Sequence, residues 1–200
     1  MAAPAVEAPR DTGLAMLRAD FEARANRSMS MPLAGLVVWL ATAAAGVLLP
    51  FKAALLFMVV ATGAIFPLAL GVARLRGEAL VSNPNPLARL LGMCIFMVNL
   101  LWALHIPLLA GQPAYVPLSL GTALGLHWVV YSWIVGHPLG VIHATLRTAL
   151  VLAAWLALPD HRVTGVALAV ATAYAVALLQ MQTRSLPSPV RPSSTAAGSP

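Results

Sequence analysis

Six long apolar runs dominate the chain and decide which solvent it folds in. The runs cover residues 32–49, 53–72, 90–110, 116–135, 139–158 and 163–179. Helices of these lengths are about 25 to 30 Å long, which matches the hydrocarbon thickness of a bilayer. Because 60% of the 200 residues are hydrophobic and only 9% are charged, a water-soluble globule is excluded. Backbone polar groups in lipid must pair within their own segment, so the predicted fold is all-α, with a six-helix transmembrane bundle over residues 31–182.

Two segments flank the predicted transmembrane domain. Residues 1–30 include apolar residues at helical spacing, namely Leu14, Leu17, Phe21 and Ala25. We expect a short amphipathic helix that lies on the cytoplasmic face of the membrane or packs beneath the bundle, with a solvated helix that has no partner as the alternative. Residues 183–200 are rich in Pro, Ser and small residues and cannot bury a core, so a disordered cytoplasmic tail is predicted.

Basic residues are unequally distributed between the two sides of the predicted bundle. Nine Lys and Arg residues fall on the side that carries both termini, and two fall on the other side. The positive-inside rule therefore places both termini in the cytoplasm, and we expect a multi-pass protein of a bacterial inner membrane, in contact with anionic lipids. The basic residues are spread over loops and form no dense stripe, so the net charge of +6 does not indicate nucleic-acid binding.

Five polar side chains inside the predicted spans are the candidate site residues. Arg147, His127 and Asn99 lie eight or nine residues from the cytoplasmic ends of their spans, about 12 to 13 Å deep. Tyr131 and His143 lie one helical turn nearer to that end, on the same helix faces as His127 and Arg147. The connection between the fourth and fifth spans is short, so these spans are antiparallel neighbours. We expect all five residues to form one polar ladder that opens towards the cytoplasm.

Arg147 is the most informative of the five, because all six acidic residues lie outside the spans. A buried guanidinium without a counter-ion is costly. It can extend to the headgroups, hold a lipid phosphate, bond to carbonyls and neighbouring polar side chains, or bind an anionic ligand. One functional hypothesis is transport of a small solute or anion through a cavity near Arg147. The alternative is a structural or accessory membrane protein that binds anionic lipid or a partner, with polar residues stabilising the helix packing.

Catalytic and metal-dependent functions find little support in the sequence. A catalytic zinc usually has three protein ligands, often including a carboxylate, and the spans contain no carboxylate. No metal, haem or other cofactor is therefore predicted. Ser132 lies near His127 but has neither a nucleophile elbow nor an acidic partner, so no catalytic residue is predicted and an enzyme is disfavoured.

Gly121 and Gly125 place two small residues on one face of the fourth span. Such faces let two helices approach closely. They serve more often within a bundle than between chains, so helix packing is the predicted role. The alternative is a homodimer interface.

Three short segments carry a resemblance to a known group of proteins. They are Leu17-Arg18-Ala19-Asp20-Phe21 before the first span, Asn85-Pro86-Leu87 after the second, and His127-Trp128-Val129-Val130-Tyr131-Ser132-Trp133 in the fourth. Together they resemble a family of uncharacterised bacterial six-helix integral membrane proteins, a domain-of-unknown-function family, over residues 14–180. The resemblance implies a six-helix membrane protein and brings with it no activity, substrate or catalytic residue.

Overall fold

The computed structural model of the protein describes residues 10–186, and every regular element within them is helical. The predicted all-α class is therefore confirmed. In chain order the α-helices are α1 Arg10–Ala25, α2 Ser30–Leu48, α3 Phe51–Gly63, α4 Ile65–Arg76, α5 Pro86–Asn99, α6 Trp102–Gly111, α7 Val116–Ala123, α8 Trp128–Val135, α9 Leu139–Ala157 and α10 Arg162–Thr183. Short 3-10 turns at Pro113–Tyr115 and Pro159–His161 begin the stretches that contain α7 and α10.

The number of helical stretches suited to crossing a membrane is five or six. Five stretches are long and apolar enough on their own. The sixth is the pair α3 and α4, which qualifies only if the two helices, bent by 43°, count as one span. Five or six helical stretches could thus cross a membrane by their length and composition, and the predicted count of six depends on this bent pair.

Three of the predicted spans are broken into two helices. The break between α3 and α4 falls at Ala64, three residues before Pro67, which has no N–H to pair with the carbonyl of Gly63. The break between α7 and α8 covers residues 124–127 and includes Gly125, and glycine has a low helix propensity. The third break separates α5 from α6 at residues 100–101. Length and hydropathy contain no information about such breaks, so the sequence predicted continuous helices.

The helices α2, α9 and α10 form the centre of the bundle. The last of these packs along both α2 and α9, and α7 packs against α9 and α10. Contact between α2 and α10 is so close at Gly35 that an added Cβ atom would lie 2.6 Å from the Tyr174 ring. In contrast, α5 packs chiefly on α1 and α8, and the most apolar part of Pro86–Gly111 is only 11% buried. The α5–α6 stretch therefore lies at the periphery.

The helix α1 packs against α5 and α8. Its Phe21 and Ala25 side chains are buried. The Arg18 guanidinium donates to the carbonyl oxygens of Trp133 at 2.6 Å and Ile134 at 3.1 Å. These carbonyls belong to the last turn of α8, where the Trp133 carbonyl also accepts from the N–H of Gly136 at 3.3 Å, so Arg18 adds to the capping of α8.

A left-handed turn at Asn26–Ser28 joins α1 to α2. All three residues have positive φ, at 42°, 68° and 55°. Residues other than glycine adopt this conformation at a cost of about 1 to 2 kcal/mol each. Side-chain bonds offset the cost, because the Asn26 amide donates to the Arg76 carbonyl and Arg27 donates to three carbonyls at the end of α10.

The disordered tail predicted at residues 183–200 includes Arg184, which the structure holds against the rest of the chain. Arg184 is buried and pairs with Glu22 through oxygens at 2.7 and 2.8 Å, and both side chains are 2% exposed. Breaking a buried pair of this kind is strongly destabilising, so the chain is held to the bundle as far as Arg184. The sequence analysis missed the pair because its members are 162 positions apart. Residues 187–200 lie outside the described residues.

Candidate functional site

The predicted polar ladder divides into two regions and one outlying residue. Arg147 and His143 lie in a closed group that we call the Arg147 cluster, which also contains Trp39, Trp128 and Tyr174. His127 and Tyr131 line a separate cavity, described below. Asn99 belongs to neither region.

Arg147 is fully buried between four helices. Its Nε donates to the carbonyl oxygen of Gly121 at 2.5 Å. The guanidinium carbon lies 5.4 Å from the centre of the Tyr174 ring and 5.5 Å from that of Trp39, which is within range of a cation–π attraction. Within residues 10–186, Nη1 and Nη2 have no hydrogen-bond partner. The cation is therefore held by aromatic faces and one carbonyl, in contrast to the open polar surroundings that the ladder implied.

Two glycines allow close packing around Arg147. A Cβ atom at Gly125 would lie 2.7 Å from Cδ of Arg147, and one at Gly121 would lie 2.7 Å from Cγ1 of Val166. Both glycines are buried inside the bundle, where they bring the stretch α7–α8 close to α9 and α10. A homodimer would have to use a different face.

His143 connects α9 to its neighbours. Its Nδ1 lies 3.1 Å from the carbonyl oxygen of Ala173, and its ring stacks on Trp128 with a centroid distance of 4.0 Å. The centre of the Tyr174 ring lies 5.0 Å from the centre of the His143 ring. The surroundings of His143 are packed side chains, so its position fits a residue that stabilises the packing of α8, α9 and α10.

A cavity of about 500 Å³ lies beside α5 and is called the α5 cavity here. Its walls come from α1, the first turn of α2, α4, the loop of residues 77–85, α5, residues 127–131 and the end of α10. Most of the wall is apolar, and the polar side chains in it belong to Ser28, Glu78, Asn83, Arg89, His127 and Tyr131. Pockets of about 300 to 1,000 Å³ with an apolar wall and a few polar groups are typical of small-molecule sites.

His127 and Tyr131 bring unused polar atoms to this wall. The His127 Nδ1 and the Tyr131 hydroxyl are both enclosed and have no hydrogen-bond partner in the described part of the chain. A buried polar group without a partner costs about 1 to 3 kcal/mol. Both residues belong to the cavity wall, so a bound molecule that displaces the groups covering these two atoms could complete their hydrogen bonds.

Glu78 is a member of the wall that the sequence analysis missed. Its carboxylate accepts hydrogen bonds from the backbone N–H of Ser30 at 2.9 Å, from the Ser30 hydroxyl and from Nε of Arg76 at 2.6 Å. A carboxylate at a helix N-terminus is favourable, so Glu78 caps α2. In the sequence, the one feature that could have pointed to Glu78 was its position as a single acidic residue in a loop between two apolar runs.

Asn99 lies outside both regions, which corrects the predicted ladder. Its side chain is exposed, and its amide nitrogen donates to the Ile95 carbonyl of the same helix at 2.9 Å. The depth estimate placed Asn99 at the level of His127 and Arg147, but depth does not fix which way a helix faces. Because α5 is peripheral and ends at Asn99, the side chain points away from the bundle core.

The first of the three segments that carry the family resemblance contacts the other two. The Asn85 amide donates to the Leu17 carbonyl at 2.9 Å and to the Asp20 carboxylate at 2.8 Å. Arg18, in the first segment, caps α8 at Trp133 in the third. Hydrogen bonds from Asn85 and from Arg24 hold the pKa of the Asp20 carboxyl below its ordinary value.

Neither a metal centre nor a serine nucleophile is apparent in residues 10–186. No three His, Cys, Asp or Glu side chains there are grouped so that they could hold a metal ion. The Ser132 hydroxyl donates to the His137 carbonyl and accepts from the N–H of Val141, both at 2.8 Å. These bonds assign Ser132 to the turn between α8 and α9.

Comparison with known proteins places the chain in a family without assigning an activity. Residues 14–184 match a family described as a family of unknown function, DUF7010. No curated protein and no solved structure matches the chain. Since the match covers most of the sequence, the chain belongs to this family of unknown function.

Proposed function

We propose that the protein is a six-span membrane protein, with both termini on the cytoplasmic side of the inner membrane, that binds a small and mainly apolar molecule in the α5 cavity. One observation carries the proposal: His127 and Tyr131 belong to the wall of an apolar cavity large enough for a ligand, and each has an enclosed polar atom without a hydrogen-bond partner in the described residues. The tyrosine hydroxyl and the imidazole can each donate or accept a hydrogen bond, so they suit a ligand with a hydroxyl or carbonyl group.

The geometry favours binding at the cavity over solute transport past Arg147. Arg147 is enclosed by Trp39, Tyr174 and the backbone at Gly121. A solute could reach its guanidinium only if the central helices separated. Arg147 and His143 therefore support the structural part of the predicted alternative, in which polar residues stabilise the helix packing.

Thermal unfolding of the protein in nanodiscs tests the proposal. The probes are neutral and charged amphiphiles, sugars, amino acids and nucleotides, because a ligand that binds only the folded state raises its stability. At a concentration a hundred times Kd the expected gain is about 2.7 kcal/mol. Tyr131→Phe removes the hydroxyl from the cavity wall and should lose most of the gain.

Tyr115→Phe is the matched control, because Tyr115 is an exposed tyrosine outside the α5 cavity. It should keep the wild-type gain in stability. If every stabilising probe acts equally on Tyr131→Phe and wild type, or if no probe stabilises the wild type, the α5 cavity is not the binding site and the proposal fails.

A further inference from the structure

We infer that the ligand of the α5 cavity is a single-chain amphiphile with an anionic headgroup, which enters sideways from the bilayer between α4 and α5. The inference rests on the proposed function, since it names the ligand class of the same cavity. Its evidence is the position of the opening, the depth of the cavity, the order of polar and apolar groups along it and the charge at its mouth.

The cavity reaches the outer surface of the bundle between α4 and α5. Phe66 of α4 and Gly92 of α5 both line the cavity, and both are exposed, Phe66 by 50%. The two helices are also held by different neighbours, since α4 packs chiefly on α2, whereas α5 packs on α1 and α8. A chain moving in the hydrocarbon layer would meet this opening directly.

The depth of the cavity corresponds to one leaflet. Its wall includes Ala88 in the first turn of α5 and extends to Ile95. Ile95 lies nine residues beyond Pro86, or about 14 Å along the helix, which is close to half of the hydrocarbon thickness of about 30 Å. The cavity therefore extends from the headgroup level to near the bilayer centre.

Polar and apolar groups are arranged along this depth as they are in a lipid. Glu78 and Asn83 belong to the loop at the outer end, and Arg89 belongs to the first turn of α5. The deeper wall is mainly apolar, with Phe66 and Ile95, and it also contains His127. A molecule with a polar head and a hydrocarbon tail matches this order, whereas a uniformly polar solute does not.

The charge at the mouth favours an anionic headgroup. Among the described residues, Arg89 is exposed and has no ionic partner. The carboxylate of Glu78 is already engaged by Arg76 and by the N-terminus of α2. The net influence at the mouth is that of the Arg89 guanidinium, which suits a carboxylate or a phosphate.

Fluorescence quenching by brominated probes tests the inference in neutral phosphatidylcholine vesicles. Bromine quenches tryptophan on contact, and Trp128 lies in the cavity wall. Dibromostearate should give a saturable quenching component that is absent from Trp128→Phe. Arg89→Gln should weaken this binding about fivefold and leave the binding of neutral dibromostearyl alcohol unchanged.

Blocking the opening provides the decisive comparison. Gly92→Phe places a ring at the mouth and should abolish the saturable component. Gly71→Phe is the matched control, since an added Cβ atom at either glycine meets open space and Gly71 is not part of the cavity wall. This comparison needs no tryptophan variant, so it remains valid if Trp128→Phe fails to fold.

Two outcomes would overturn the inference in different ways. Saturable quenching by water-soluble dibromopropionate that Gly92→Phe does not reduce would mean that the ligand enters from water; the proposed binding function would survive and the lipid-like ligand would not. An absence of saturable quenching by either acid in the wild type would reject the ligand class. The thermal experiment with Tyr131→Phe would then decide separately whether the cavity binds anything.

Discussion

The Arg147 cluster and the α5 cavity both contain polar residues of helices that could span a membrane, yet they differ in the space around those residues. Arg147 and His143 are enclosed by rings and backbone, with aromatic contacts of 4.0 to 5.5 Å. His127 and Tyr131 adjoin about 500 Å³ of empty volume. The two regions share Trp128 as a common wall.

The difference shows how a polar residue in a transmembrane helix can be assigned a role. An ionisable residue in a span is a functional hypothesis by default. When aromatic faces and a carbonyl enclose it, as at Arg147, a packing role is the simpler conclusion, even though two of its nitrogens lack a hydrogen-bond partner in residues 10–186. When an unpartnered polar atom lies beside empty volume, as at Tyr131, a binding role is favoured.

Truncating Arg147 should have the largest effect on stability. Arg147→Ala removes a buried side chain from a packed site and should cost about 3 kcal/mol of unfolding free energy. Arg147→Met keeps the apolar stem and removes the buried charge, so it should stay within about 1 kcal/mol of wild type. The measurement is unfolding by SDS titration in mild detergent. Equal losses for both variants would show that the charge itself stabilises the bundle, against the packing account.

A larger side chain next to the Arg147 cluster should have the next largest effect on stability. Gly121→Val would press against Val166 and Val151, two branched side chains with little freedom to move, and should cost about 2 kcal/mol. Gly71→Val is the matched control because a Cβ atom there meets nothing within 4 Å. The same SDS titration measures both variants. If the two variants lose equal unfolding free energy, the conclusion that the helices are closely packed around Arg147 is wrong.

Truncating one aliphatic residue in each region compares their packing density. Val151 is fully buried beside Gly121, whereas Ile95 is partly exposed and faces the α5 cavity. Val151→Ala should therefore cost about 1 kcal/mol more than Ile95→Ala, although the isoleucine is the larger side chain. Unfolding free energies of the two variants check the order. The reverse order would mean that the cavity side is the better packed region.

Acid should weaken the contact between α1 and α5. The pKa of Asp20 is lowered in the folded state, so its contribution to stability is present above its ordinary pKa of about 4 and is lost as pH falls through and below that value. The stability difference between wild type and Asp20→Asn should be largest at pH 7 and should disappear in acid. Denaturation at a series of pH values measures it, with Asp160→Asn as the control. A difference that does not change with pH would show that the Asp20 charge has no role there.

The composition and the run lengths predicted the helical class and most of the helix positions, because these depend on local properties of the chain. The break before Pro67 could have been anticipated, since the ring of proline disrupts a helix by a known mechanism. The break between α5 and α6 has no such local sign, and it helps to leave Asn99 outside the site. Arg147 was identified as unusual from the positions of the acids alone.

Contacts between distant segments account for what the sequence could not predict. The partners of Arg147 are Trp39 and Tyr174, which lie on other helices, and nothing local couples them. The pair Glu22 and Arg184 joins opposite ends of the described chain. The α5 cavity exists because α5 packs on few neighbours, a property of the assembled bundle.

Cysteine accessibility at Ala88 and Ala144 in native membranes tests the central claim most directly. Ala88 lines the α5 cavity, and Ala144 is buried one helical turn before Arg147. In a Cys94→Ser background, N-ethylmaleimide should label Ala88→Cys rapidly and Ala144→Cys only after unfolding. Comparable labelling of Ala144→Cys in the folded protein would contradict the account, because the surroundings of Arg147 would then be open to water and a solute site there would be favoured again.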